Sequence, residues 1–283
     1  MNTDTSLMYG WETLPWRKLE RSVFKLQERT YRAARRGDTK AVRQLQRLLC
    51  KSRAAKLLAV RRVTQDNRGK NTAGVDGVKT VPPAERLEMA DTLTLKAKAS
   101  PVRRVYIPKP GTDERRPLGI PTMRDRATQT LVKLALEPEW EARFGPNGYG
   151  FRPGRSCWDA IQATFQSICQ KDKHVLDADI AKCFDRIDQE ALLRKVNAGP
   201  AVTRQLRAWL KAGILDGDTL FPSESGTPQG GVASPLLASI ALHGVEELIR
   251  QRFPCRMVKG ERLNAPTLIR YAGGCAPGNV CSR

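Results

Sequence analysis

The 283-residue chain carries 49 Lys and Arg against 29 Asp and Glu, a formal net charge of +20, and 40% of its residues are hydrophobic. The apolar share is enough for a packed core and excludes wholesale disorder; the length suits one large domain or two ordinary ones. An enzyme acting on small molecules has no need of such a charge, whereas a polyanionic partner explains it, because each phosphate neutralised releases counterions.

The charge is uneven: positions 1–70 hold 18 basic and 6 acidic residues. Residues 11–62 read as basic helices. Asp38, after Gly37, is placed to cap a helix in which Val42, Leu45, Leu48 and Leu49 recur at helical spacing. The density of Arg29, Arg32, Arg35 and Arg36 favours nucleic-acid contact over a merely solvated face. Asn67 to Gly77 is a turn-rich link without the spacing of a phosphate-cradling P-loop. Val102–Ile107 and Arg115–Ile120 read as a hairpin around Pro110-Gly111-Thr112-Asp113, decorated by Arg103, Arg104, Lys109, Arg115 and Arg116. It is either a charged exposed hairpin or a basic finger over phosphates.

Thr122 with Asp125, and Ser156 with Asp159, have the spacing of capping boxes. The first opens a helix to about Trp140. The second opens one whose stripe of Trp158, Ile161, Phe165 and Ile168 is expected to face the core. Between them, Gly148 to Arg155 combines three glycines, a proline and two arginines with aromatics; it is either a surface loop or a close approach of backbone to a ligand. Val175 to Ile180 mixes apolar and acidic side chains at strand period, with Val175, Asp177 and Asp179 on one face. It is either an edge strand with a solvated acidic face or a platform holding a carboxylate at its end.

Asp188 is placed to cap a helix over Gln189 to Val196, and Val202, Leu206, Trp209 and Leu210 stripe the next. The uncharged loop Gly226 to Pro235 leads into a helix from about Leu236 to Arg250. Leu268 to Ala272 is a short strand, Gly273-Gly274 a tight turn, and Cys275 to Arg283 does not read as a return strand. The seven cysteines form no Cys-x-x-Cys pair, and only His174 and His243 are present, so a zinc site or a disulfide framework is not expected. A reducing, intracellular compartment follows. No run approaches the roughly 18 apolar residues of a membrane span, and Met1 to Gly10 has no signal-peptide core.

Taken in order, these segments resemble the reverse transcriptases (maturases) encoded by group II introns. The matching residues are Asn71-Thr72-Ala73-Gly74-Val75-Asp76-Gly77, Ile107-Pro108-Lys109-Pro110, Arg116-Pro117-Leu118-Gly119-Ile120-Pro121, Tyr149 to Ser156, Asp177-Ala178-Asp179-Ile180, Cys183-Phe184-Asp185 and Gly226 to Gly231. The resemblance runs from about residue 15 to Ala272. It implies an α/β (α+β) fold with right-hand polymerase fingers and palm, an antiparallel palm sheet backed by helices, and a basic helical N-terminal extension. The corresponding ranges are 1–70 for the extension, 71–170 for the fingers, 171–272 for an incomplete palm and 273–283 for an aberrant tail.

By the same resemblance, Asp179 is the catalytic, metal-binding carboxylate, with the Ile180 carbonyl beside it. Phe184 is the steric gate against a ribose 2′-hydroxyl and Gln229 contacts the incoming nucleotide. Lys109 and Arg116 (or its neighbour Arg115) sit over the triphosphate. Arg152 and Arg155 line the template path, while Arg32, Arg35 and Arg36 belong to the region that grips RNA. The implied cofactor is Mg²⁺. The implied partners are intron RNA, an RNA template, a DNA primer and deoxynucleoside triphosphates, with no membrane.

Nucleotidyl transfer uses two metal ions about 4 Å apart, so carboxylates from two neighbouring strands are required. The family follows Tyr-Ala with two aspartates; this chain follows Tyr271-Ala272 with Gly273-Gly274. Asp177 is not expected to substitute. Residues 273–283 are expected to be out-of-frame coding, and the palm sheet to lack a strand and expose an edge. The chain is thus an RNA-directed DNA polymerase by descent that is inactive as given. The competing readings are an RNA-binding maturase fragment that assists splicing, and a pseudogene product.

Overall fold

A computed structural model describes residues 10–108, 111, 113–170, 173–258, 261–263, 265–272 and 274–279. The helices are α1 (Trp16–Arg35), α2 (Thr39–Lys51), α3 (Arg53–Arg61), α4 (Pro83–Thr92), α5 (Met123–Glu141), α6 (Cys157–Ile168), α7 (Gln189–Val196), α8 (Pro200–Leu210), α9 (Ser234–Ala241) and α10 (Val245–Arg252). The strands are β1 (Val102–Pro108), β2 (Arg115–Ile120), β3 (His174–Val175), β4 (Ala178–Asp179), β5 (Ile214–Asp216), β6 (Thr219–Phe221), β7 (Arg256–Val258), β8 (Glu261–Leu263), β9 (Thr267–Tyr271) and β10 (Gly274–Asn279). They form two compact units, Met1–Arg143 with Asp188–Ser234 and Phe144–Ile187 with Pro235–Arg283.

The first unit is built on α5, a helix buried nearly all round and therefore central to its bundle. Met123, Ala127, Leu131 and Leu134 share a core with Leu49, Leu57 and Val60 from the helices around it and with Leu93, just past the end of α4. Its polar side chains are buried too, and each named here has a partner. Asp125 accepts from Thr122 Oγ1 at 2.9 Å, from the Ser100 N–H at 3.1 Å and from Trp209 Nε1 at 3.2 Å, so one carboxylate ties α5 to the approach to β1 and to α8. Arg126 donates to the carbonyls of Pro121 and Gly69, both at 2.8 Å, and to that of Thr72. Fully buried Glu139 accepts from Arg43 and Gln46 at 2.7 Å each, with Arg143 2.7 Å from its other oxygen.

The local capping signals hold. The side chains of Asp38, Thr122 and Asp188 accept from Ala41, Asp125 and Ala191. Ser156 and Asp159 form a complete capping box. The Ser156 hydrogen bonds hold the Asp159 carboxyl below the usual carboxylate range. The sheet of the first unit has the order β2-β1-β5-β6, with β1 antiparallel to β2 and parallel to β5. Tyr106 on β1 donates to Asp216 on β5 at 2.6 Å, and that hydrogen bond to a carboxylate raises the phenol's pKa.

In the second unit β10 lies between β9 on one side and β3 and β4 on the other. This corrects the expectation of a missing return strand. A ladder is made of main-chain groups, and side-chain pattern is only a secondary constraint on it. Gly274 to Gly278 runs back along Tyr271 to Thr267. Pro277 is accommodated because it falls at the register position of Leu176, where β3 and β4 are interrupted. Val175 to Ile180 is accordingly two short pieces, not one strand.

Two further expectations are corrected. The α6 stripe does not face a core: Trp158 is 73% exposed and Phe165 60%. The buried side of α6 is the small one, where Ala160 and Ala163 approach Tyr149 and Ile269. Small side chains permit the close approach, and the aromatics are left outward. The helix expected over 236–250 is two, α9 and α10, because Gly244 adopts φ 92°, a left-handed conformation that breaks the run.

Candidate nucleotide and nucleic-acid site

In the first unit the finger hairpin and the glutamine-glycine loop are joined. The Gly119 N–H on β2 donates to the Gln229 carbonyl at 2.5 Å. A Cβ on Gly230 would lie 2.7 Å from the Gly119 carbonyl oxygen, so Gly230 (φ 111°) must stay a glycine. The loop is held from behind by Gln129, which accepts from the Val232 N–H at 2.8 Å, and by Ser234, which donates to the Pro228 carbonyl at 2.7 Å. Gln189 supports its start by donating to the Gly226 carbonyl at 3.2 Å. Gln229 is thereby half-buried beside the strand that carries exposed Arg116. Lys109 lies outside the described residues.

The N-terminal arginines lie on α1 and just beyond its end. Arg32, Arg35 and Arg36 are all exposed. Arg32 pairs with Glu28 at 2.5 Å, an exposed pair of small energetic weight. Arg29, Arg32 and Arg36 converge with Gln44 and Leu48 of α2 on one depression. Three guanidinium groups around a recess have the chemistry to hold a phosphate.

In the second unit the Gly-Phe-Arg loop, the acid-bearing segment and the Tyr-Ala turn meet. The Tyr149 N–H donates to the Arg270 carbonyl at 2.8 Å, and the Arg270 N–H to the Asn147 carbonyl at 2.9 Å. A Cβ on Gly150 would fall 1.9 Å from the Ala272 nitrogen, so the loop touches the turn backbone to backbone. Phe151, at φ 63°, sets its ring 6.2 Å from that of Phe184 in an edge arrangement. Phe184 is half-buried, and Asp179 and Ile180 are exposed. Arg152 is buried and donates to the Gly145 and Gly148 carbonyls at 2.7 and 2.8 Å, so its guanidinium organises the loop. Arg155 is exposed, 5.3 Å over the Tyr149 ring.

The register of β10 bears on which residue faces Asp179. Asp179 stands directly opposite Gly274, which in turn stands opposite Tyr271. Side chains at directly opposed positions have Cβ atoms roughly 4.5–5.5 Å apart, the spacing two carboxylates need to share a pair of ions. Gly274 brings no side chain to that place, and neither does Gly273. Among the described residues no group of three His, Cys, Asp or Glu is assembled for a metal. One carboxylate and a carbonyl do not make the donor set of a two-metal centre. The contacts of Phe151 with Phe184 and of Gly150 with Ala272 were not foreseen in the sequence, although the three glycines around residue 150 signalled a close approach of some kind.

These are the parts of a template-directed polymerase, and two family matches identify them. Residues 11–93 match the N-terminal domain of reverse transcriptase, and residues 107–272 match the reverse transcriptase (RNA-dependent DNA polymerase) family. The chain belongs to the reverse transcriptase family. It is 34% identical over 205 residues to Escherichia coli protein YkfC, covering 68% of this chain and 54% of that protein. It is 39% identical over 154 residues to the group II intron-encoded protein LtrA of Lactococcus lactis, covering 53% and 26%. The maturase-like protein 1 of Euglena gracilis is 30% identical over 245 residues, covering 82% and 51%. The chain thus spans about half the length, or less, of these relatives. Reverse transcriptases as a family use divalent metal ions. No helix among the described residues is long and apolar enough to cross a membrane.

Proposed function

We propose that the chain is an RNA-binding protein of the group II intron reverse transcriptase lineage that assists its intron RNA and does not polymerise DNA by itself. The observation that carries this is Asp179 opposite Gly274. The strand that should bring the second carboxylate runs where it is needed and arrives without a side chain. The Mg²⁺ pair of the lineage therefore has an incomplete donor set here. Each unit keeps residues suited to binding. In the first unit Arg32, Arg35 and Arg36 supply an exposed cationic face; in the second, Arg155 is exposed on the Gly-Phe-Arg loop and Arg152 holds that loop in shape. By lineage, Arg116, Gln229 and Lys109 would serve a triphosphate and Phe184 a sugar. Intron RNA is the partner this surface fits best; the RNA template, DNA primer and deoxynucleoside triphosphates are inherited partners that the chain does not turn over.

Binding to structured intron RNA is expected to weaken steeply with salt, with a log–log slope of about −0.7 to −0.9 per phosphate neutralised. Replacing Arg32, Arg35 and Arg36 by Gln is expected to lower the slope by about 2 to 3. Filter binding across a salt series measures both. A flat salt response, or a triple variant that binds like the parent, would count against the proposal.

A further inference from the structure

The first unit contains a cavity of about 570 Å³ that none of the motifs above occupies. Its rim carries Arg43, Arg47 and Lys51 from α2, Lys56 from α3 and Arg204 from α8, and no acidic residue lines it. Arg43 is neutralised by Glu139. Among the described residues no acid pairs with the other four. The floor is apolar, formed by Leu93, Leu95, Pro200 and Val202.

The walls are fixed in advance. Arg43 and Gln46 are anchored on buried Glu139, and Arg43 also donates to the Asn197 carbonyl in the turn before α8. Gln205 of α8 accepts from the Ala97 N–H at 2.9 Å and donates to the Lys98 carbonyl at 2.8 Å, which binds α8 to the segment after α4. A preformed concavity of this size falls within the range of ligand sites.

Four uncompensated cations around an apolar floor require a ligand that is both anionic and flat or apolar. A free phosphate would leave the floor unused, and a neutral apolar molecule would leave the cations facing it. Gln46 is committed to Glu139, so the site lacks the array of donors and acceptors needed to read one base. We infer that this cavity receives one extruded nucleotide of a single-stranded RNA segment, with the base on the floor and its flanking phosphates on Arg47, Lys51, Lys56 and Arg204. The inference rests on the RNA-binding reading above. It adds a sequence-tolerant site distinct from the α1 arginines.

The test uses the full chain and a 12-nucleotide oligouridine with one central 4-thiouridine, irradiated and mapped by peptide mass spectrometry. Crosslinks are expected within 93–95 and 199–204. Ala201 is exposed at the mouth of the cavity, so Ala201→Trp fills it without disturbing a core. That variant is expected to lose these crosslinks and to weaken oligouridine binding about 5- to 10-fold. Lys56→Gln with Arg204→Gln is expected to lower the salt slope by about 1 to 2. If crosslinks fall only on α1 and Ala201→Trp binds like the parent, the pocket assignment is overturned while RNA binding stands. If the chain binds no RNA, both readings fall. If Ala201→Trp weakens binding of oleate and not of the oligonucleotide, the occupant is a fatty anion and the nucleotide assignment is wrong.

Discussion

The proposed loss of polymerase activity turns on Asp179, which the β10 ladder places opposite a glycine, Gly274, and so opposite no second carboxylate. Gly150 matters as much for shape. Its missing Cβ lets the loop rest on the Ala272 backbone, and no rotamer change can relieve a clash with main chain. Gly150→Ala is expected to destabilise the second unit by at least about 2 kcal/mol, read as lost hydrogen-exchange protection at Arg270 to Ala272; unchanged protection would contradict the contact. Cys50 gives a pH-dependent case. Burial pushes its thiol up to about 12, so the reactive thiolate is scarce at neutral pH and rises only as pH approaches that value. At pH 8 iodoacetamide is expected to label exposed Cys157 and Cys169 well before Cys50. Equal labelling by mass spectrometry would show that the thiol is not held in its neutral form by burial.

At the scale of elements, what the sequence disclosed is what is decided within a few residues. The caps at Asp38, Thr122, Ser156 and Asp188 are satisfied inside one helical turn, so their spacing sufficed. The finger hairpin was legible for the same reason. The β5–β6 hairpin carried an equally local signal in Asp216-Gly217, with Gly217 at φ 59°, and was overlooked. So was α4, opened by Pro83 at its first position. The orientation of α6 was not legible, because periodicity marks an apolar face without saying whether anything covers it. The aromatic face is larger, yet the close packing of Ala160 and Ala163 on β9 turned it outward. Trp158→Lys with Phe165→Lys is therefore expected to leave unfolding free energy within about 0.5 kcal/mol and to lower binding of a hydrophobic dye. A loss of several kcal/mol in denaturant unfolding would show that the face is buried after all.

The whole chain combines a net charge of +20 with Gly273-Gly274 where the family it resembles has two aspartates. Net charge and the order of motifs carried the family assignment, since both are properties of the linear chain. The long-range pairings were beyond reach. Nothing in the composition of residues 274–279 announces a strand that pairs with β9 on one side and with β3 and β4 on the other. On the proposed reading, Gly274 opposite Asp179 leaves the inherited site incomplete, and the basic residues would act without it.

The most direct measurement is primer extension by the purified chain on an RNA template with a labelled DNA primer, all four deoxynucleoside triphosphates, and Mg²⁺ or Mn²⁺. At a protein concentration that saturates RNA binding, the expected result is primer retained by the protein and no product beyond the no-protein control. Template-dependent extension under those conditions would show that Asp179 has found other carboxylates, and it would contradict the assignment of this chain as a binding protein.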